Sequence, residues 1–179
     1  MEKWHLWGKG LSSVLQVGSQ VVYGFHGVCR IIDTEVRKID RKNVEYFVLE
    51  PKEQPGARFY VPSQNPVALS KLRPVLNREE LDLLLASDET HQDCWIADEN
   101  KRKQKYRELV NNGDRGALIS MIRALHQHKE NQLAAGRKFH LCDENFLHDA
   151  QKLLSSEFSM VLGIPQNEVA AYIEKKIKE

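Results

Sequence analysis

Cysteine is scarce in this chain: Cys29, Cys94 and Cys142 are the only three in 179 residues, and they stand far apart. That pattern excludes a disulfide framework and a CxxC zinc site, and three free thiols in a reducing compartment are expected. Long apolar runs are missing too; none approaches the ~20 residues that span a bilayer, so no membrane association is expected. Residues 1–16 have neither an extended apolar core nor a small-residue cleavage site, so no signal peptide is expected and the cytoplasm is the expected compartment. Gly8-Lys9-Gly10 is neither a P-loop nor a dinucleotide fingerprint, and no G-x-S-x-G elbow occurs. No titratable pair suited to acid–base work stands out. The common nucleotide-binding and hydrolase signatures are therefore missing.

Net charge is almost absent as well, at +1, but its distribution is uneven. Residues 98–138 hold ten Lys/Arg against five Asp/Glu, whereas residues 141–179 hold four against seven. The hydrophobic content of 41% is that of an ordinary globular protein, and the mean hydropathy of -0.51 agrees. Positive charge is thus concentrated in one middle stretch.

Along the chain, residues 1–16 show no sustained period despite Trp4 and Trp7, and a poorly ordered extension is expected. From Val17 the pattern becomes that of strands. Val21-Val22-Tyr23 leads into a Gly24-Phe25-His26-Gly27 turn, and Val28 to Ile39 is rich in β-branched residues. After a polar turn at Asp40-Arg41-Lys42-Asn43 come strands at Val44 to Leu49, Arg58 to Val61 and, shorter, Leu72 to Leu76. Short strands with Gly/Pro-bearing turns over about sixty residues predict a small antiparallel barrel.

Helical spacing takes over at Asn77, a cap for a leucine-rich helix. A polar linker is expected at 87–93. Asp98 caps a basic helix closed by Gly113, and Asp114 caps the next, with Leu118, Met121, Ile122 and Leu125 on its stripe. Asp143 is read as the start of a long amphipathic helix that ends at Gly163. Pro165 starts a last helix with Val169, Ile173 and Ile177. The fold class is α+β in two modules: a β-barrel over 17–76 and an all-α helical bundle over 77–179.

The segment WIADENKRKQKYRELVNNGD, Trp95 to Asp114, carries the most information. Lys101, Arg102, Lys103, Lys105 and Arg107 crowd one helix, and only Glu99 and Glu108 follow the cap as pairing acids. Such a face is either solvated and paired at i, i+4 or a phosphate-contacting surface. Trp95 has two readings as well. Burial is the common fate of tryptophan and would make it a plug between modules, whereas a ring beside cations suits a nucleic-acid wedge. His126, His128, His140, Cys142, Asp143 and His148 are the nearest approach to a metal cluster. His126 and His128 are two apart and face different ways on a helix, so they lack zinc-ligand spacing.

Val17-Gly18, Val22-Tyr23, His26-Gly27, Glu45-Tyr46 and Val61-Pro62, followed by a tryptophan, a basic helix and a Gly-Asp cap, resemble the CarD/CdnL family of bacterial transcription regulators. The resemblance runs from about Val17 to the end. It implies a Tudor-like (SH3-like) barrel of the kind shared with transcription-repair coupling factor. That barrel would dock on the RNA polymerase β subunit through Arg37, Arg58, Tyr60 and Pro62. Family members often have arginine where this chain has Tyr60. The helical domain is implied to meet promoter DNA at the upstream edge of the bubble and to stabilise the open complex, with Trp95 wedged into the minor groove. Lys101, Arg102, Lys103, Lys105, Arg107, Arg123, Lys129, Arg137 and Lys138 would supply the phosphate contacts. The stretch from Trp95 to Gly113-Asp114 is longer than in actinobacterial members. The resemblance implies a protein that is no enzyme, and a monomer without metal or cofactor is expected. Two rival readings stand beside it: a protein–protein adaptor that binds polymerase or another partner through the barrel and touches no DNA, and a small metal-dependent enzyme using the histidines around 126–148.

Overall fold

The computed structural model describes residues 15–87 and 94–178, without the side chains of Phe25, Ile177 and Lys178. Trp4 and Trp7, most of the expected extension, most of the expected linker and the Ile177 side chain therefore lie outside the described residues. The chain divides into two compact units, one ending at Val75 and one starting at Leu76.

The first unit holds one antiparallel sheet of five strands: β1 (Gln20–Tyr23), β2 (Val28–Ile39), β3 (Lys42–Pro51), β4 (Phe59–Pro62) and β5 (Leu72–Pro74). Their order is β4-β3-β2-β1-β5, which leaves β4 and β5 at the edges. A single 3-10 turn, Gly24–His26, joins β1 to β2, and Gly27 after it takes a φ of 67° that glycine adopts without strain. Val21, Cys29, Ile31, Leu49, Val61 and Leu72 form the core of the unit. Leu15, placed in the extension by sequence, packs against that core. A short helix, α1 (Pro66–Leu69), was not anticipated; Asn65 caps it with its side chain, and Pro66 occupies the first turn.

β2 and β3 form a long ribbon closed at Asp40 and Arg41, which both have positive φ (48° and 65°). A two-residue turn of this hand matches strand twist, though glycine or asparagine is its usual occupant. The four-residue turn expected from sequence is thus halved, because Lys42 and Asn43 pair with Ile39 and Lys38. A register shift between Ile31 and Asp33 inserts one residue into β2. Side chains alternate along a strand, so this bulge reverses the parity of everything beyond it. Glu35 and Arg37 consequently share a face with Tyr46, opposite the one that buries Ile31.

The second unit is helical: α2 (Arg78–Leu85), α3 (Glu99–Asn112), α4 (Arg115–Ala134), α5 (Leu141–Leu162) and α6 (Gln166–Lys178). Asn77 and Glu80 form a reciprocal capping box on α2. Asp98 and Asp114 cap α3 and α4 with their carboxylates, and Gly113 and Gly163 end α3 and α5 in the left-handed conformation. Leu81, Tyr106, Leu118, Ile119, Met121, Ile122, Leu125, Leu154, Phe158 and Ile173 make up the largest buried side chains of the core. Burying each contributes on the order of 1.5–3 kcal/mol.

One cap differs from the sequence reading. α5 starts at Leu141, and its cap is His140, whose Nδ1 accepts from the Cys142 amide at 3.2 Å. Asp143, expected to start the helix, is inside its first turn and almost wholly buried. Its carboxylate is taken by Arg102, a partner 41 residues earlier that no local pattern signals.

Candidate functional site

Two surface constellations stand out, one on each unit. On the sheet, the Arg37 guanidinium lies 3.6 Å from the centroid of the Tyr60 ring. It also donates through Nε and Nη2 to Glu35, at 3.1 and 3.3 Å. The Glu35 hydrogen bond holds Arg37 firmly charged, raising its pKa. Tyr46 meets Tyr60 edge-on, with centroids 6.5 Å apart, and pairs in register with Pro62. The inserted residue in β2 makes this group possible, since without it Arg37 would face the core side. Arg58 is exposed immediately before β4. Three of the four sequence-picked residues, Arg37, Tyr60 and Pro62, therefore gather on or beside the β4 edge, with Arg58 leading into it. Tyr46 and Glu35 complete the group and were missed. Their signal is the cross-strand register, which composition does not display. Farther out on the ribbon, Val36 and Ile39 are 62% and 45% exposed.

On the helical unit, Trp95 is half-buried in the segment between Cys94 and the α3 cap, which is neither helix nor strand. Its ring stacks on the imidazole of His128, with centroids 3.6 Å apart and planes 19° from parallel. The Arg102 guanidinium lies 4.3 Å from the same ring. Phe139 extends the cluster, 6.3 Å from His128, and Lys129 sits 5.7 Å above the Phe139 ring. Trp95, α3, the end of α4 and the loop before α5 thus converge. The loop that carries Arg137 and Lys138 reaches the start of α3 through His140, 3.7 Å from Glu99.

The basic residues divide into classes. Lys101, Lys105, Arg107, Arg137 and Lys138 are exposed. Lys103 is paired with Glu99 one turn away, and Lys129 reaches Glu144 at 3.8 Å. Arg123 is half-buried, and its Nη1 is buried without a hydrogen-bond partner. Arg102 does not belong with the free cations. It is 6% exposed, forks onto Asp143 at 2.9 and 3.0 Å, and donates through Nη1 to the Ile96 carbonyl at 2.8 Å. A buried guanidinium with its donors engaged cannot also serve a phosphate, so its work is structural. Tyr106, buried beneath, donates to the Cys94 carbonyl at 3.4 Å and holds the other side of the Trp95 segment.

Among the described residues, His126, His128 and His140 do not converge. His126 contacts Glu174 and Gln151, His128 contacts Trp95 and Gln132, and His140 is 3.7 Å from Glu99. Among the described residues no group of three His, Cys, Asp or Glu could hold a metal ion. Among them, too, no helix is long and apolar enough to cross a membrane.

Comparison with known proteins matches both units to family models. The CarD-like/TRCF RID domain covers residues 15–75, and the CarD C-terminal domain covers residues 81–174. No curated protein matches the chain. With the sheet unit and the helical unit each matched in order, the chain belongs to the CarD/CdnL family of non-catalytic transcription regulators that act through RNA polymerase.

Proposed function

We propose that the chain docks on the polymerase β subunit through a Tudor-like first unit and stabilises the promoter open complex through its helical unit. The β4 edge and the Arg37–Tyr60 face beside it suit the docking role, since an edge strand offers unpaired backbone groups and alternate side chains to another chain. Arg58 and Pro62 flank that edge. Tyr60, where arginine is common in the family, serves by holding the guanidinium of Arg37 over its ring. Docking raises the effective concentration of the helical unit near DNA, so each of its contacts can be weak.

The observation that carries the DNA half is the half-buried Trp95, stacked on His128, in a unit that also exposes Lys101, Lys105, Arg107, Arg137 and Lys138. Cations hold phosphates without reading sequence, while an apolar ring inserted at a base step unstacks it at a few kcal/mol. Where strands are already parting that penalty is smaller, so a ring of this kind binds the upstream edge of the bubble better than closed duplex. Preference for one state shifts the equilibrium toward it. Recognition then runs on backbone and deformability. Lys103 and Lys129 lend charge from paired positions and Arg123 from a half-buried one; Arg102 supports the site from beneath. The protein works as a cytoplasmic monomer without cofactor.

The test is open-complex lifetime on a promoter, with and without the protein. Trp95→Ala shortens the lifetime while leaving polymerase binding nearly intact, and Arg37→Glu removes polymerase binding. Recovery of polymerase in a pull-down with no change in lifetime or promoter footprint identifies an adaptor instead. Equal loss of polymerase binding in both variants makes Trp95 a structural plug.

A further inference from the structure

We propose that His128 is a positioning residue for Trp95: its imidazole is the platform that fixes the plane, and therefore the aim, of the tryptophan ring. The inference rests on the reading of Trp95 as the DNA-contacting ring and adds how that ring is held. Trp95 lies on backbone outside any helix or strand, so no ladder of hydrogen bonds orients it. Two groups do. Arg102 ties the adjoining Ile96 and Ala97 carbonyls to the bundle, at 2.8 and 3.4 Å, which fixes where the segment runs. His128 meets the indole face to face, at 3.6 Å and 19°, which fixes how the ring lies. His128 is on α4, whose preceding turns are the most buried helix surface in the unit. It therefore transmits the rigidity of the core to a side chain on irregular backbone.

The surroundings of His128 suit a platform better than a simple space-filler. Gln132, one turn on, sits 3.3 Å from Nε2 and restrains rotation of the imidazole. Phe139 limits it from the loop before α5. The charged groups around it are Arg102 from α3, Asp143 from α5 and Lys129 beside it on α4. A flat ring is what the position needs. An aliphatic side chain of similar size would fill the volume but offer no plane, and an amide offers only a small plane on a longer, more flexible stem.

The experiment uses the full chain carrying Trp4→Phe and Trp7→Phe, so that Trp95 is the only tryptophan. His128→Gln and His128→Phe are compared with this parent in three measurements: melting temperature, Trp95 fluorescence anisotropy, and affinity for a labelled duplex with a forked end. The expected result is that His128→Gln melts near the parent, lowers Trp95 anisotropy and weakens fork binding by about two- to tenfold, the range a stacked aromatic pair is worth. His128→Phe, which restores a flat ring, recovers both. Unchanged anisotropy and fork affinity in His128→Gln overturn the proposal, as does failure of His128→Phe to recover them. Trp95→Ala, measured alongside, separates the two levels. If it binds the fork as the parent does, the DNA role of the ring falls and the positioning role with it. If it loses affinity while His128→Gln does not, only the positioning role falls.

Discussion

Arg102 and Asp143 meet fork to fork, Nε to Oδ1 at 2.9 Å and Nη2 to Oδ2 at 3.0 Å, with both side chains almost fully buried. The pair joins the first turn of α3 to the first turn of α5, and the remaining Arg102 nitrogen holds the Trp95 segment. A similar pair, equally buried, links α4 to α5. Arg115, at the start of α4, forks onto Glu157 of α5 at 2.7 and 2.8 Å, and Glu157 also accepts from the Leu76 amide. Each guanidinium is fully charged and planar, so it can satisfy a carboxylate with two parallel bonds, which lysine cannot. The first pair therefore ties two helix starts together and fixes where Trp95 stands, and the second ties the start of α4 to the last turns of α5.

Breaking either pair on one side leaves a buried, uncompensated charge. Arg102→Met or Glu157→Leu is expected to destabilise the helical unit by roughly 3–5 kcal/mol. Combining Arg102→Met with Asp143→Leu should recover much of that, because the desolvation penalty disappears with the second charge. Urea unfolding of the single and double variants measures both statements. If the double variant is as unstable as the single, the pair contributes net stability rather than position.

Stability should also respond to pH through His128. Its pKa is lowered from the ordinary value of 6.5, first by burial, with Arg102 acting in the same direction and Asp143 opposing. The unfolded chain then binds this proton more readily than the folded one, so stability is fully present above about pH 6.5 and declines as pH falls from there toward the folded value. His128→Phe should therefore lose less stability than the parent between pH 7.5 and pH 5.5. Denaturation midpoints of the two proteins at those pH values decide it, since every other titrating group is common to both.

The two-unit division, the strand content of the first unit, the helices of the second and most helix ends can be read from residues alone. Caps such as Asn77, Asp98 and Asp114 act within three residues of themselves, so a linear pattern contains them. The sheet face bearing Arg37 and Tyr60 depends on one inserted residue in β2, and nothing in the alternation of Val28 to Ile39 marks where the insertion falls. Arg102 illustrates the larger gap. Counting acids along α3 makes it a spare cation, whereas its partner Asp143 arrives from another helix. His128 is similar: it draws notice in the sequence only as a metal candidate, and its contact with Trp95 spans 33 residues.

The thiols should differ sharply in reactivity. Cys29 is in the core of the sheet, and burial, helped by Glu53, raises its pKa to about 11. At pH 8 almost none of it is thiolate, the nucleophilic form. Iodoacetamide is expected to modify the half-buried Cys94 and Cys142 well before Cys29. Peptide mapping over a time course gives the order, and early labelling of Cys29 would mean that the sheet opens on that timescale.

Salt dependence of DNA binding separates contacting cations from structural ones. Each phosphate neutralised on duplex DNA contributes about 0.9 to the slope of log K against log salt. Lys101 and Lys105 are exposed on α3, so the double variant Lys101→Gln, Lys105→Gln should flatten the slope by about 1.8 if both touch phosphate. Arg102 already spends its charge on Asp143. Replacing it with Met should leave the slope at the parental value, though affinity falls because the Trp95 segment is no longer held. A slope lowered by the Arg102 variant, or unmoved by the lysine pair, would reverse the assignment of which side chains face the backbone. Titrating a labelled duplex from 50 to 200 mM salt covers the range in which such slopes are read.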